Sequence, residues 1–239
     1  MERNKQIQTH FDQEAQEFDE IIQTIIPYYD QMIEAIVASI PFETDQSISV
    51  IDLGCGTGTV AHAIQEVYPN ATITCVDMSE EMLTIAKQKL NNQAIYIASS
   101  FEHLTFEKHY DVVVSSLALH HLEDQMAHQQ FYHQIYDALN LKGLFINADV
   151  IQASSAELQD AFMQKWISFM NRKITLKEIQ ERWLKSHFEE DRPQPLMAEL
   201  KTLETVGFKA VDIVYKYYNY AVYLGKNLER EIKIKNGCD

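Results

Sequence analysis

The chain holds 239 residues, 46% of them apolar and 23% charged, ordinary usage for a globular protein that can bury a core without disulfides or a structural metal. No apolar run approaches the roughly 18 residues of a membrane-spanning helix, and the polar opening MERNKQIQTHFDQEAQEFDE lacks the apolar centre of a signal peptide. With 20 Lys plus Arg against 35 Asp plus Glu the net charge is −15, which disfavours nucleic acid as a partner and favours a small molecule.

In chain order, residues 4–40 predict helix, with apolar positions at Ile21, Ile22, Ile25, Ile26, Met32, Ile33, Ile36 and Val37. Pro27 breaks it, because proline removes a helix donor and clashes with the preceding turn. From residue 48 strands alternate with helices. SISVIDLG, ATITCVDM, AIYIAS, YDVVVSS and GLFINADV predict strands; AHAIQEVY, EEMLTIAKQKL and HQQFYHQIYDALN predict the helices between them. Such alternation specifies βαβ units and a doubly wound parallel sheet. Two further helices follow, AELQDAFMQKWISFM and TLKEIQERWLKSHF, before Pro193 and Pro195. AVDIVYKYYNY and AVYLGK then predict a closing antiparallel hairpin. The expected organisation is a helical lid over 1–45, a core over 46–151, a helical insertion over 152–202, closing strands over 203–226 and a polar tail over 227–239.

The sharpest motif is Val50-Ile51-Asp52-Leu53-Gly54-Cys55-Gly56-Thr57-Gly58. Three of the chain's seven glycines fall within five positions. Clustered glycines at a strand end mark a tight turn whose backbone meets a ligand closely. Asp52 ends the strand. Asp77 ends the next one, 19 residues after Gly58, where a carboxylate can accept both ribose hydroxyls. Ser79 supplies the N-cap of the following helix, so capping does not need Asp77.

VIDLGCGTG, VDMSEEML and DVVVSSLALHHL resemble the successive motifs of class I S-adenosylmethionine (SAM)-dependent methyltransferases, over about residues 18–225. LKTLETVGFKAVDIVYKYYNYAVYLGK is similar to their last helix and hairpin. From IIPYYDQMI onward the chain also resembles the carboxy-SAM synthase that serves tRNA wobble-uridine modification. The resemblance implies a Rossmann-like seven-stranded α/β sheet, mainly parallel, with SAM as cofactor. It implies that Gly54, Cys55 and Gly56 meet the methionine part of SAM, with Asp52 and Gly58 completing the turn. It further places Asp77 on the ribose, Met78, Ser100 and Phe101 on the adenine, Tyr29 in the lid and Ser116 near the ammonium end. Ser100 departs from the family's usual Asp. The arginine that a carboxy-SAM synthase uses is matched here by Thr202, beside Lys201, and neither offers a bidentate guanidinium.

His120 and His121 follow the fourth strand at the ligand-binding edge of the sheet and are the candidates for general-base catalysis. No metal site is expected, because neighbouring histidines seldom share one ion and no nearby carboxylate spacing completes a set. Asp149 ends the fifth strand at the same edge. Tyr215, Tyr217, Tyr218, Tyr220, Tyr223, Trp166, Phe169 and Trp183 read mostly as packing, with some free to line an acceptor pocket. Cys55, Cys75 and Cys238 form no CxxC pair and fit a reducing cytoplasm; their dispersal argues against an arsenic-gripping thiol site. The absence of an Asn/Asp-Pro-Pro-aromatic segment after strand four argues against a nucleic-acid methyltransferase. The expected function is methyl transfer to a small-molecule acceptor, with a carboxy-SAM synthase-like enzyme and a non-catalytic SAM-binding module as alternatives. A homodimer through the insertion helices is compatible with the sequence.

Overall fold

Hydrophobic strands with β-branched side chains on both faces build the sheet. The computed structural model describes residues 2–228; most of the expected polar tail, with Cys238, lies outside the described residues. Strands β1 (Ser49–Leu53), β2 (Thr72–Asp77), β3 (Ile95–Ala98), β4 (Tyr110–Ser116), β5 (Leu139–Val150), β6 (Lys209–Tyr217) and β7 (Tyr220–Lys226) form one seven-stranded sheet in the order β3-β2-β1-β4-β5-β7-β6. The first five run parallel. β7 inserts antiparallel between β5 and β6, giving the mainly parallel sheet with a closing hairpin that the sequence implied. The order reverses between β1 and β4, and that switch point opens a crevice at the carboxyl ends of the strands.

Alternation along the strands assigns the two faces. Val112 and Val114 of β4, with Ile146 and Ala148 of β5, pack under helices α3 (Tyr29–Ala38) and α4 (Thr59–Val67). Val113 and Phe145 face the other way, toward α6 (Gln125–Ala138) and α10 (Leu196–Val206). Helix α5 (Glu80–Lys89) packs beside β2 and is capped by Ser79, whose hydroxyl accepts the Met82 amide at 3.0 Å.

Three departures from the sequence pattern have physical causes. The N-terminal region is three helices, not two: α1 (Glu2–Glu14), α2 (Phe18–Ile25) and α3. Pro27 separates the last pair, but the break at residues 15–17 carries neither proline nor glycine. It coincides with tertiary packing, since Ala15 at the break is buried. β5 begins at Leu139, before the expected Gly143, because α6 runs directly into it. Helix α10 spans the expected boundary at residues 202 and 203 as one unit, burying Thr202, Leu203 and Val206 on the core side.

The inserted helices α7 (Ala156–Met170), α8 (Leu176–Glu178) and α9 (Lys185–Glu190), with a π-helical turn at Ile179–Leu184, lie over the same face as the lid. Trp166, Met170, Ile179 and Trp183 are buried in one cluster with Ile22 of α2 and Ile26 just after it. Polar ties hold lid and insertion together. The Trp166 indole donates to the Ile25 carbonyl at 2.7 Å, and Arg182 pairs with Glu14 at 2.6 Å. His10 bridges Glu190 of α9 at 2.8 Å and Glu14 at 3.2 Å. The hydrogen bonds to Glu14 and Glu190 push the His10 imidazole up to about 10, against its partial burial.

The raised value fixes the sign of a pH effect. Its contribution is complete below the unfolded value of 6.5 and is lost as pH rises through about 10. The gap in thermal stability between the natural chain and His10→Gln is therefore expected to be widest near pH 6 and to close toward pH 10. Melting curves across that range check it; a gap that is constant or widens with pH contradicts the tie.

Candidate functional site

The turn after β1 is shaped by what cannot fit there. Gly54 has φ +69°, and a Cβ on it would lie 2.3 Å from the Ala118 Cβ. The Gly54 and Cys55 amides both donate to the Val76 carbonyl, at 2.8 and 2.9 Å, which folds the turn against the end of β2. Gly56 has φ +52°, but a Cβ there meets nothing nearer than the Phe18 ring at 3.9 Å. Its missing side chain thus keeps open space beneath the lid. Gly58 does a different job from its neighbours. It precedes α4 with φ +79°, and a Cβ would press on Ala86 of α5 at 3.0 Å, so it allows two helices to approach and does not line the cleft.

That cleft is lined by Tyr29, Asp52, Gly54, Cys55, Gly56, Asp77, Met78, Ser100, Phe101, Ser116 and His121, mostly apolar walls with a few convergent polar groups, as in small-ligand sites. All but Gly58 and His120 of the sequence-derived candidates therefore meet in one cavity. Sequence reasoning missed the lid side chains Ile7, Phe11 and Phe18 and, in the loop after β4, Leu117 and Ala118, which also line it. The apolar spacing of α1 and α2 carried a signal for helix but none for which face covers a ligand.

Two carboxylates set the polarity of the cleft. Asp77 accepts the Gly56 amide at 2.8 Å and the Ser79 amide at 2.9 Å. Burial raises its pKa while those amides oppose the rise. Asp52 is 1% exposed. Neither of its oxygens accepts a well-aligned hydrogen bond. Burial pushes its pKa up to about 7; the Ala61 amide works against the shift and Asp77 adds to it. A buried, unpartnered carboxylate is costly unless something cationic completes it. Ser100 instead donates to or accepts from His103 at 2.9 Å, and Phe101 stacks toward Phe131 at 5.1 Å.

The lid is clasped to the turn itself. Thr57 donates to Asp19 at 2.5 Å, and Lys89 pairs with Asp19 at 2.8 Å. Burial opposes the charge of Asp19, but Lys89 and Thr57 hold its pKa below the usual range.

A second cavity of about 720 Å³ adjoins the first and shares Phe11, Phe18, Leu117 and His121 with it. Ile21, Ile22, Ile25, Trp166, Trp183 and Tyr220 give it apolar walls, and its polar end holds His120, His121, His187, Glu190 and Asp191. Leu117, between the cavities, has φ 52°, a strained value for a branched residue of the kind that collects at functional sites. His120 donates from its backbone to Asp149 at 3.0 Å, and its Nδ1 lies 2.5 Å from the same carboxylate. Burial works against a charge on His120, yet Asp149 and Asp191 push it up to about 10. Burial and the neighbouring His120 push His121 down to about 3. Neither ring is tuned near neutrality, where a general base works best. Burial opposes ionisation of Asp191, but the His120 cation holds its carboxyl well below the usual range.

A cleft at the switch point of a doubly wound sheet, roofed by helices and lined by a glycine turn and two strand-end carboxylates, is the geometry of a nucleotide-cofactor site. Residues 50–143 match the family model described as a methyltransferase domain. The chain is 28% identical over 124 residues to a malonyl-[acyl-carrier protein] O-methyltransferase of Bacillus anthracis, covering 52% of this chain and 45% of the relative, so less than half the relative's length is spanned. It is 26% identical over 229 residues to a carboxy-S-adenosyl-L-methionine synthase of Campylobacter hominis, covering 92% of this chain and 94% of that one. Among solved structures, the complex of DhpI with SAH superposes with a TM-score of 0.62 at 17% identity, covering 93% of this chain and 95% of that one.

The two glycines separate a folding role from a binding role. Gly54→Ala is expected to cost about 2 kcal/mol or more of stability, from left-handed strain plus overpacking. Gly56→Ala adds only the strain, of about 1–2 kcal/mol, while its methyl enters the cleft. Denaturant midpoints should therefore fall further for Gly54→Ala. Equal midpoints would contradict the assigned roles.

Proposed function

We propose that the chain is a SAM-dependent methyltransferase that acts on a small-molecule acceptor. The observation that carries the reading is Asp52, a buried carboxylate that accepts no well-aligned hydrogen bond, facing the cleft made by the Gly54–Gly56 turn. The residues fit the cofactor: Asp52 suits the ammonium of its methionine part, Asp77 the ribose hydroxyls, and Met78 and Phe101 the adenine. Gly56 leaves the space that the ligand needs. When bound, SAM supplies a methyl group on a positively charged sulfur, an electrophile that needs chiefly proximity and in-line orientation from the protein. Tyr29, Phe11 and Phe18 close the cleft against water, and the Asp19–Lys89 clasp keeps them there.

The second cavity is the acceptor site in this reading. It meets the cofactor cleft at Leu117 and His121 and combines apolar walls with a polar end, which suits a small partly apolar molecule. A −15 chain working on such acceptors needs no nucleic acid. The free, buried Cys55 and Cys75 accord with a reducing cytoplasm, and the insertion helices leave a homodimer open. The carboxy-SAM synthase-like reading is favoured by one observation, the near-complete coverage of such a relative. Against it, neither cavity is lined by arginine or lysine among the described residues. Thr202 is turned to its own helix, donating to the Ala198 carbonyl at 2.8 Å.

Calorimetry with SAM and S-adenosylhomocysteine tests the assignment. Asp52→Asn and Asp77→Ala should each weaken binding by about tenfold or more, the worth of a hydrogen bond to a charged group. Full affinity in both variants contradicts it. Binding without turnover on any small acceptor would favour the non-catalytic module, and a cofactor heavier by a carboxylate in native mass spectra would favour the synthase.

A further inference from the structure

Folding brings to the polar end of the acceptor cavity a set of ligand atoms that no local motif contains. His120 Nε2 lies 3.4 Å from Asp191 Oδ1, and His121 Nδ1 lies 3.6 Å from the same oxygen. One ligand atom from each of the three residues falls within 4.8 Å of the others. Metal–ligand bonds of about 2.0–2.1 Å at a tetrahedral ion imply ligand-to-ligand edges of about 3.3 Å. Both measured edges are close to that. Each is longer than an ordinary N–H···O hydrogen bond, though both lie within ion-pair reach.

The surroundings are those of a metal site. His120 Nδ1 is bound to Asp149 at 2.5 Å, a contact that fixes the ring and leaves Nε2 facing Asp191; a carboxylate behind a ligating histidine is the usual support of such an ion. Asp191 is held by its other oxygen, 2.7 Å from His187 Nδ1. Both ring nitrogens of His121 are buried and without a hydrogen-bond partner, a debt that ligation would settle for one of them.

We propose that His120, His121 and Asp191 bind one divalent transition-metal ion of the zinc type, with the fourth position open to the acceptor cavity. Two imidazoles and one carboxylate are a borderline donor set suited to such an ion. Binding displaces the proton that His120 holds between Asp149 and Asp191. The ion's place does not rest on the methyl-transfer reading, but its role does. An acceptor hydroxyl bound at the open position loses its proton to water more readily, and its oxygen is left beside the cofactor cleft at His121. That supplies the activation for which neither histidine is tuned.

The full chain, stripped with a chelator, is dialysed against Zn²⁺ and its metal content measured, with Co²⁺ as a spectroscopic substitute. The expected result is one ion per chain, with the intense visible bands of tetrahedral Co²⁺. His121→Ala and Asp191→Asn should each weaken binding at least tenfold, and Asp149→Asn by about 10–100-fold as a supporting contact. The exposed His133→Ala should leave binding unchanged. The cobalt spectrum of the natural chain reads the site even where a variant folds poorly. Substoichiometric metal, weak octahedral cobalt bands, or zinc retained equally by all variants would overturn the proposal. S-adenosylhomocysteine binding without zinc would remove the ion and leave the methyltransferase reading; zinc binding without S-adenosylhomocysteine would do the reverse.

Discussion

The contact on which the rest of the site depends is the turn of β1 against the end of β2. Two successive amides, from Gly54 and Cys55, share the Val76 carbonyl, and Gly54 sits so close to Ala118 that no side chain fits. This pins β1, β2 and the loop after β4 at one point. Asp52 and Asp77 are consequently carried into a single cleft, and the Gly56 amide is turned onto Asp77. The buried cost of two carboxylates is tolerable only where amides or a cationic ligand answer them. Asp77 accepts two well-formed amide hydrogen bonds, whereas Asp52 accepts none and is eased only by the Ala61 amide nearby. That asymmetry is the electrostatic argument for a positively charged ligand group at Asp52.

A second layer of structure closes what the turn opens. The lid reaches the turn through Asp19, Thr57 and Lys89, and reaches the insertion through His10, Glu190 and the Trp166–Ile25 bond. The lid is thus fastened at both ends, over the cofactor cleft and over the adjoining cavity. The same closure delivers Asp191, at the end of α9, to the loop that carries His120 and His121. The two rings part in protonation: Asp149 and Asp191 hold His120 charged against its burial, while burial and that cation keep His121 neutral.

What could be read from the sequence was whatever its cause lay close along the chain. The strand and helix pattern from residue 48 to 150 was legible because period-two and period-3.6 signals alternate cleanly there. The glycine turn and Asp77 were legible because steric demand is written directly in residue type. The break at residues 15–17 was not, since it coincides only with the tertiary burial of Ala15. Gly58 carried the same signal as Gly54 and Gly56, yet it serves the approach of α4 to α5; identical residues in one motif answered different constraints. The carboxylate beside the two histidines was beyond reach of spacing altogether. Asp191 arrives from the insertion, and nothing local connects it to residues 120 and 121.

The central claim is that one cleft holds SAM with its ammonium on Asp52 and its ribose on Asp77. A crystal structure of the chain grown with S-adenosylhomocysteine tests this most directly. The account predicts the ligand beneath Phe11 and Phe18, its amino group within hydrogen-bond reach of Asp52 and its ribose hydroxyls on Asp77. Ligand density elsewhere on the molecule, or a ligand in the cleft with both carboxylates uninvolved, would contradict it.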